Sequence, residues 1–276
     1  MSHITKSITS SQNYTLSVDV LPAQQTPRGV IVYYHGGGLV FGQPRDLPEP
    51  YIACLNETYH IVFAPYRLAP EAHIDTIVQD AQNVFEAVQT WYPDLPHFTM
   101  GRSSGAFLSI LMAQRYPVHG VVSLYGYSRI HIPAFLTPSP YYAPMADKIS
   151  QQMIDMMVQR EPITAGPLQM RYPLYIYARG RAVWQSYIGL DSMADPKYNL
   201  TPEQLSHFPP MFLAHCIGDP DVPFSETEHM AQYVPNTTCH RIDSDAHDFD
   251  RTVDDESLAI YQAITTFLNT QTNSMR

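Results

Sequence analysis

Apolar residues along this chain fall into short runs separated by stretches of helical spacing. The runs Tyr14 to Leu21, Val30 to Tyr34, His60 to Ala64, Phe98 to Met100, Gly120 to Leu124, Met211 to His215 and Thr237 to Ile242 read as strands. Between them, Ile74, Ile77, Val78, Ala81, Val84, Phe85 and Val88 define one apolar helical stripe, and Ile260, Tyr261, Ile264, Phe267 and Leu268 repeat the spacing near the carboxyl end. A further helical pattern begins at Ala106. Strands alternating with helices of this length predict an α/β fold whose mostly parallel sheet is covered by helices on both faces.

From about Arg129 to His207 that rhythm breaks. The stretch is rich in proline, methionine and tyrosine, with amphipathic pieces at Ala146 to Arg160 and Leu168 to Ile188 whose apolar faces need cover. It falls between the run ending at Leu124 and the run starting at Met211, so it reads as a helical cap, residues 129–207, inserted into a core of residues 1–128 and 208–276. Its bulky tyrosines and Trp184 predict a small pocket.

The 276 residues are compatible with one large domain. A net charge of −10 without a Lys/Arg cluster argues against nucleic acid and anionic membranes as partners. The amino terminus lacks the apolar core of a signal peptide, and no apolar stretch approaches the ~20 residues of a membrane span, so a cytoplasmic location is expected. Cys54, Cys216 and Cys239 are odd in number and lack CxxC spacing, which indicates neither a disulfide framework nor a zinc site. Cys216 and Cys239 are expected to pack as small hydrophobes within strands. Homo-oligomer formation stays open.

The candidate chemistry lies where strand-like runs end. Gly101-Arg102-Ser103-Ser104-Gly105 sits between a strand and a helix, a glycine-flanked elbow that exposes the Ser103 hydroxyl. His35-Gly36-Gly37-Gly38 follows another strand and lets bare backbone N–H groups approach a ligand. Met211 to His215 leads to Gly218-Asp219-Pro220-Asp221-Val222-Pro223, where Asp219 and Asp221 are both candidate acids. The last strand leads to Ala246-His247-Asp248-Phe249. The order serine, acid, histidine separates this arrangement from the other serine-hydrolase folds.

Together with Tyr66-Arg67-Leu68-Ala69-Pro70-Glu71 and Asp80, these motifs resemble the hormone-sensitive-lipase-like carboxylesterases of the α/β-hydrolase superfamily, over residues 28–128 and 209–250. The resemblance implies an α/β-hydrolase fold and a catalytic triad of Ser103, Asp219 and His247. It also implies an oxyanion hole from the N–H groups of Gly37, Gly38 and Ser104, and no metal or cofactor. The valine before proline in the acid motif selects Asp219, leaving Asp221 as a turn or cap residue. Arg67 and Glu71 are expected in buried ion pairs or hydrogen bonds, and His35 in an orienting role. The chain departs from the family at Arg102, Ser104 and Ala106, in its D-x-x-V-P acid motif and in its short amino-terminal extension. The expected activity is hydrolysis of small, short-chain acyl esters. An aminopeptidase or amidase of the same fold, and a non-catalytic ligand binder, remain alternatives.

Overall fold

The computed structural model describes residues 3–190 and 195–273. Its sheet holds β1 (Ile4–Thr9), β2 (Thr15–Leu21), β3 (Gly29–Tyr34), β4 (Tyr59–Phe63), β5 (His97–Arg102), β6 (Gly120–Leu124), β7 (Met211–Cys216) and β8 (Thr237–Ile242). These eight strands lie in the order β1-β2-β4-β3-β5-β6-β7-β8. The pairings β1 with β2 and β2 with β4 are antiparallel, and all others are parallel. β1 carries no apolar alternation because it is an edge strand whose residues are exposed or half-buried throughout.

The helices are α1 (Glu49–Asn56), α2 (Ile74–Trp91), α3 (Ser104–Arg115), α4 (Pro133–Leu136), α5 (Ala143–Ala146), α6 (Gln151–Met157), α7 (Leu168–Gly180), α8 (Trp184–Tyr187), α9 (Pro202–Leu205), α10 (Ser225–Tyr233) and α11 (Asp255–Asn273). Successive strand residues point to opposite faces, so β3 sends Val30, Val32 and Tyr34 into one cluster and Ile31 and Tyr33 into the other. The stripe of α2 and the apolar residues of α3 cover the first face, while α1 and α11 cover the second. Each fully buried Ile, Val or Phe adds about 1.5–3 kcal/mol of apolar burial.

The predicted strands and both apolar stripes are present, with boundaries shifted by a few residues. α3 starts at Ser104 rather than Ala106. Cys216 is buried, but Cys239 is exposed, because β8 is the other edge of the sheet. The amphipathic pieces of the insertion are shorter helices than the periodicity predicts. Ser150 caps a fresh start at α6, which ends in extended backbone at Val158. α7 stops at Gly180, and Ala182 takes φ 55° before α8 resumes.

Parallel register brings the carboxyl ends of the central strands level: Tyr34 pairs with Gly101, and Arg102 with Leu124. The loops after β3, β5, β7 and β8 therefore emerge along one edge, the usual ligand side of such a sheet.

Candidate active site

Ser103 occupies the sharp turn from β5 into α3 with φ 52° and ψ −120°, a strained conformation of order 1–3 kcal/mol. The elbow closes because its glycines have no side chains. A Cβ on Gly101 would lie 2.2 Å from Gly105, and one on Gly105 would lie 2.1 Å from the carbonyl oxygen of Tyr34.

The loops bring Asp219 and His247 to this serine. Nε2 of His247 lies 2.9 Å from Ser103 Oγ, and its Nδ1 lies 2.7 Å from Oδ2 of Asp219. Oδ1 of Asp219 accepts the N–H groups of Asp221 and Val222 at 2.7 and 3.0 Å. A second imidazole, that of His215, meets Oδ2 at 2.8 Å. Burial disfavours charge on His247, but the carboxylates of Asp219, and further off Asp221 and Asp248, outweigh it and carry its pKa up to about 9. Burial likewise pushes the Asp219 carboxyl up. The charge of His247 and the hydrogen bonds from His215 and His247 overcome that and hold it well below the usual carboxylate range.

The loop after β3 is folded by its own carbonyls and by the insertion. Gly37 O accepts from Val40 N and Phe41 N at 2.9 and 3.0 Å, and Leu39 N donates to Ser104 Oγ at 3.2 Å. Trp184 Nε1 donates to Gly38 O at 2.8 Å, and Arg171 Nε to Val40 O at 2.8 Å. Within the described residues, the N–H groups of Gly37 and Gly38 donate to no backbone carbonyl, and both glycines line the cavity over Ser103. Ser104 opens α3, where the first N–H groups of a helix have no intrahelical acceptor. His35 is buried, its ring stacked on Tyr66 and its Nδ1 2.7 Å from Gly36 O. Burial lowers its pKa and favours the neutral ring.

The cavity of about 640 Å³ is walled by Phe41, Tyr125, Tyr142, Tyr172 and Tyr175, with Asp221 among its polar lining. Trp184 is not part of this wall. It is buried, and its contribution is the bond to Gly38.

Asp221 is not the turn or cap residue expected. Its side chain is 2% exposed and pairs with Arg179 Nε at 3.1 Å. It accepts from Tyr142 and Tyr175 at 3.2 and 2.8 Å and lies 3.9 Å from Nε2 of His247. Sequence reasoning missed this because its partners come from the insertion, more than 40 residues upstream. Arg102, unusual at its motif position, braces the site from below. It pairs with Asp250 at 2.9 Å and Asp46 at 3.3 Å, and donates to the Tyr125 hydroxyl at 2.7 Å. Arg67 and Glu71 form the expected buried pairs, Arg67 with Asp80 at 2.8 Å and Glu71 with Arg171 of the insertion at 2.7 Å. Among the described residues, no group of three or more His, Cys, Asp or Glu is placed to hold a metal ion, and no helix is long and apolar enough to cross a membrane.

Known proteins share this architecture. Probable carboxylesterase M8 of Phoma sp. is 27% identical over 236 residues, spanning 74% of this chain and 72% of its own. A protein of unknown function from Staphylococcus aureus superposes with TM-score 0.96 at 41% identity, covering 98% of this chain and 99% of that one. An alpha/beta hydrolase superfamily protein from Enterococcus faecalis superposes with TM-score 0.77 at 25% identity, covering 98% and 100%. The family model described as alpha/beta hydrolase fold matches residues 31–251, which includes the elbow, the glycine loop and both downstream motifs. The chain is a carboxylesterase-like hydrolase and belongs to the α/β-hydrolase fold family.

Proposed function

We propose that this hydrolase is a serine carboxylic-ester hydrolase acting on small, short-chain acyl esters. The observation that carries the reading is the contiguous line from Ser103 Oγ through His247 to Asp219, at 2.9 and 2.7 Å. Neutral His247 takes the Ser103 proton at Nε2 while Oγ bonds to the ester carbonyl carbon. The carbonyl oxygen becomes an oxyanion held by N–H groups of Gly37, Gly38 and Ser104. Collapse of the intermediate breaks the bond to the alkoxy oxygen, which leaves as the alcohol with the proton from Nε2. Water then cleaves the acyl-enzyme by the same route and regenerates Ser103. Asp219 holds the ring in the tautomer that leaves Nε2 free and stabilises the imidazolium.

Support for short acyl chains comes from the wall of Phe41, Tyr142, Tyr172 and Tyr175, whose rings meet edge to face across the insertion. The partner is a small ester. The net charge of −10 supports assigning no nucleic-acid or anionic-membrane partner.

A panel of p-nitrophenyl esters from acetate to palmitate, run against a Ser103→Ala control, tests the reading. Turnover no higher than the control, or best kcat/KM on palmitate, overturns it. A fluorophosphonate should label Ser103, and a label mapped to Ser104 would reassign the nucleophile. The Asp221 carboxylate in the cavity favours a second reading, hydrolysis of aminoacyl amides whose protonated amine it would meet. Aminoacyl anilides belong in the same panel. The ester reading stands first because Arg179, Tyr142 and Tyr175 already occupy that carboxylate.

A further inference from the structure

His215 in β7 carries an imidazole that the mechanism above leaves without a task. Its side chain is wholly buried. Nε2 lies 2.8 Å from Oδ2 of Asp219, the same oxygen that meets Nδ1 of His247 at 2.7 Å. Nδ1 lies 2.7 Å from Oγ1 of Thr227 in α10, itself buried. An ionised carboxylate only accepts, so Nε2 of His215 carries a proton in either charge state of its ring. With two backbone N–H groups on Oδ1, the acid accepts hydrogen bonds from every side. His215 provides the side-chain bond that does not come from the catalytic imidazole.

We propose that His215 is a positioning residue of the hydrolytic site, its Nε2–H fixing the Asp219 carboxylate against His247 and drawing off part of its negative charge. The hydrogen-bonded line then runs Ser103, His247, Asp219, His215, Thr227. This role rests on the serine-hydrolase reading given above.

Two effects follow when one carboxylate oxygen is shared by two imidazoles. Removing His215's donor frees Oδ2 to turn away from His247. It also concentrates charge on the oxygen that faces His247, which favours the imidazolium and delays the appearance of the neutral base to higher pH. Among the described residues, the surroundings hold no substitute donor. Asp221 and Asp248 face His247 with negative charge, the Tyr125 ring lies 4.9 Å from it, and Arg179 is committed to Asp221. His215 otherwise meets the Phe224 ring at 5.6 Å and adjoins Cys216.

Three variants separate the proton from the ring. His215→Phe keeps a buried ring and loses both nitrogens. His215→Gln keeps an N–H donor for Asp219 and an oxygen that accepts from Thr227. Thr227→Val is close in shape and removes only the far partner of His215. The measurements are kcat and KM for p-nitrophenyl acetate across pH and, in a Ser103→Ala background that needs no substrate, the 15N NMR titration of the His247 ring.

The expected result for His215→Phe is a kcat lower by about 10–100-fold, by analogy with the loss of the hydrogen-bond partners that orient metal-binding side chains in other enzymes. KM should hold, while the acid limb and the NMR midpoint move to higher pH. His215→Gln should restore most of both, and Thr227→Val should give a smaller shift in the same direction. A His215→Phe protein with unchanged kcat and midpoint overturns the proposal, as does a Gln variant worse than Phe, since packing alone would then explain the residue. If His215→Phe does not fold, an unmoved midpoint in Thr227→Val overturns it. Wild-type turnover no higher than Ser103→Ala would sink the serine-hydrolase reading separately, and the NMR midpoints would still decide whether His215 tunes His247.

Discussion

Under the proposed mechanism, His247 sets opposite pH trends for activity and stability. Its native pKa of about 9 exceeds the ordinary histidine value of about 6.5, so protonated His247 adds stability that is complete below about pH 6.5. That stability fades as pH rises through about 9, while the neutral base needed by Ser103 appears over the same window. Thermal melts and kcat/KM measured together from pH 6 to 10 should show Tm falling as activity rises, and His247→Gln should flatten the melting trend. The two aspartates should separate as well. Asp219→Asn should lower kcat by about 10⁴ with the fold intact, because its amide no longer holds His247 in the working tautomer. Asp221→Asn should act mainly on stability, costing about 3 kcal/mol by leaving the buried Arg179 guanidinium uncompensated. Its kcat in the folded fraction should fall less than tenfold. If Asp221→Asn proves the more damaging to kcat at equal foldedness, the acid has been misassigned.

At the scale of elements, the glycine loop is held by peptides pinned on both sides. The 38–39 peptide accepts from Trp184 of α8 and donates to Ser104 of α3, so the insertion and the elbow fix the loop between them. Trp184→Phe keeps the buried ring and removes the indole N–H. It should lower kcat about tenfold with little change in KM, since an oxyanion donor shifted out of line loses strength chiefly in the transition state. Equal falls in kcat and kcat/KM are the signature, and a change confined to KM would refute it. Arg102 works on the neighbouring loop. Its pairing with Asp250, which also accepts from Tyr125 and Tyr261, ties the turn after His247 to the end of β5.

Across the whole molecule, the insertion is joined to the core by three ion pairs, two of them buried. Arg171 joins Glu71, Arg179 joins Asp221, and Arg129 joins Glu226 at 2.9 Å. Such a roof stays in place, so activity on p-nitrophenyl butyrate should rise smoothly with substrate and show no jump when detergent micelles or lipid surfaces are added. Arg171→Met should leave Glu71 buried and unpaired, lowering stability by about 3–5 kcal/mol, readable in a denaturant melt. An unchanged midpoint would mean the insertion is held by apolar packing alone.

The sequence alone determined the alternation of strands and helices, the elbow at Ser103, the glycine loop and the order serine, acid, histidine, since period, turn chemistry and chain order are local properties. The motif also preferred Asp219 over Asp221. β1 stayed hidden because an exposed edge strand carries no apolar signal, and the insertion helices were overdrawn because periodicity does not see Ser150 starting a new helix or Ala182 interrupting one. Tertiary structure decided the partners of charge: Asp221 with Arg179, Arg102 with Asp250, Glu71 with Arg171, and His215 with Asp219. Most of these pairs join residues far apart in sequence, and even His215, four residues from its acid, meets it only because β7 ends where its loop turns back. A buried charge must find a counterpart, but which one it finds is set by the packing of sheet and insertion, a distance that no local pattern records.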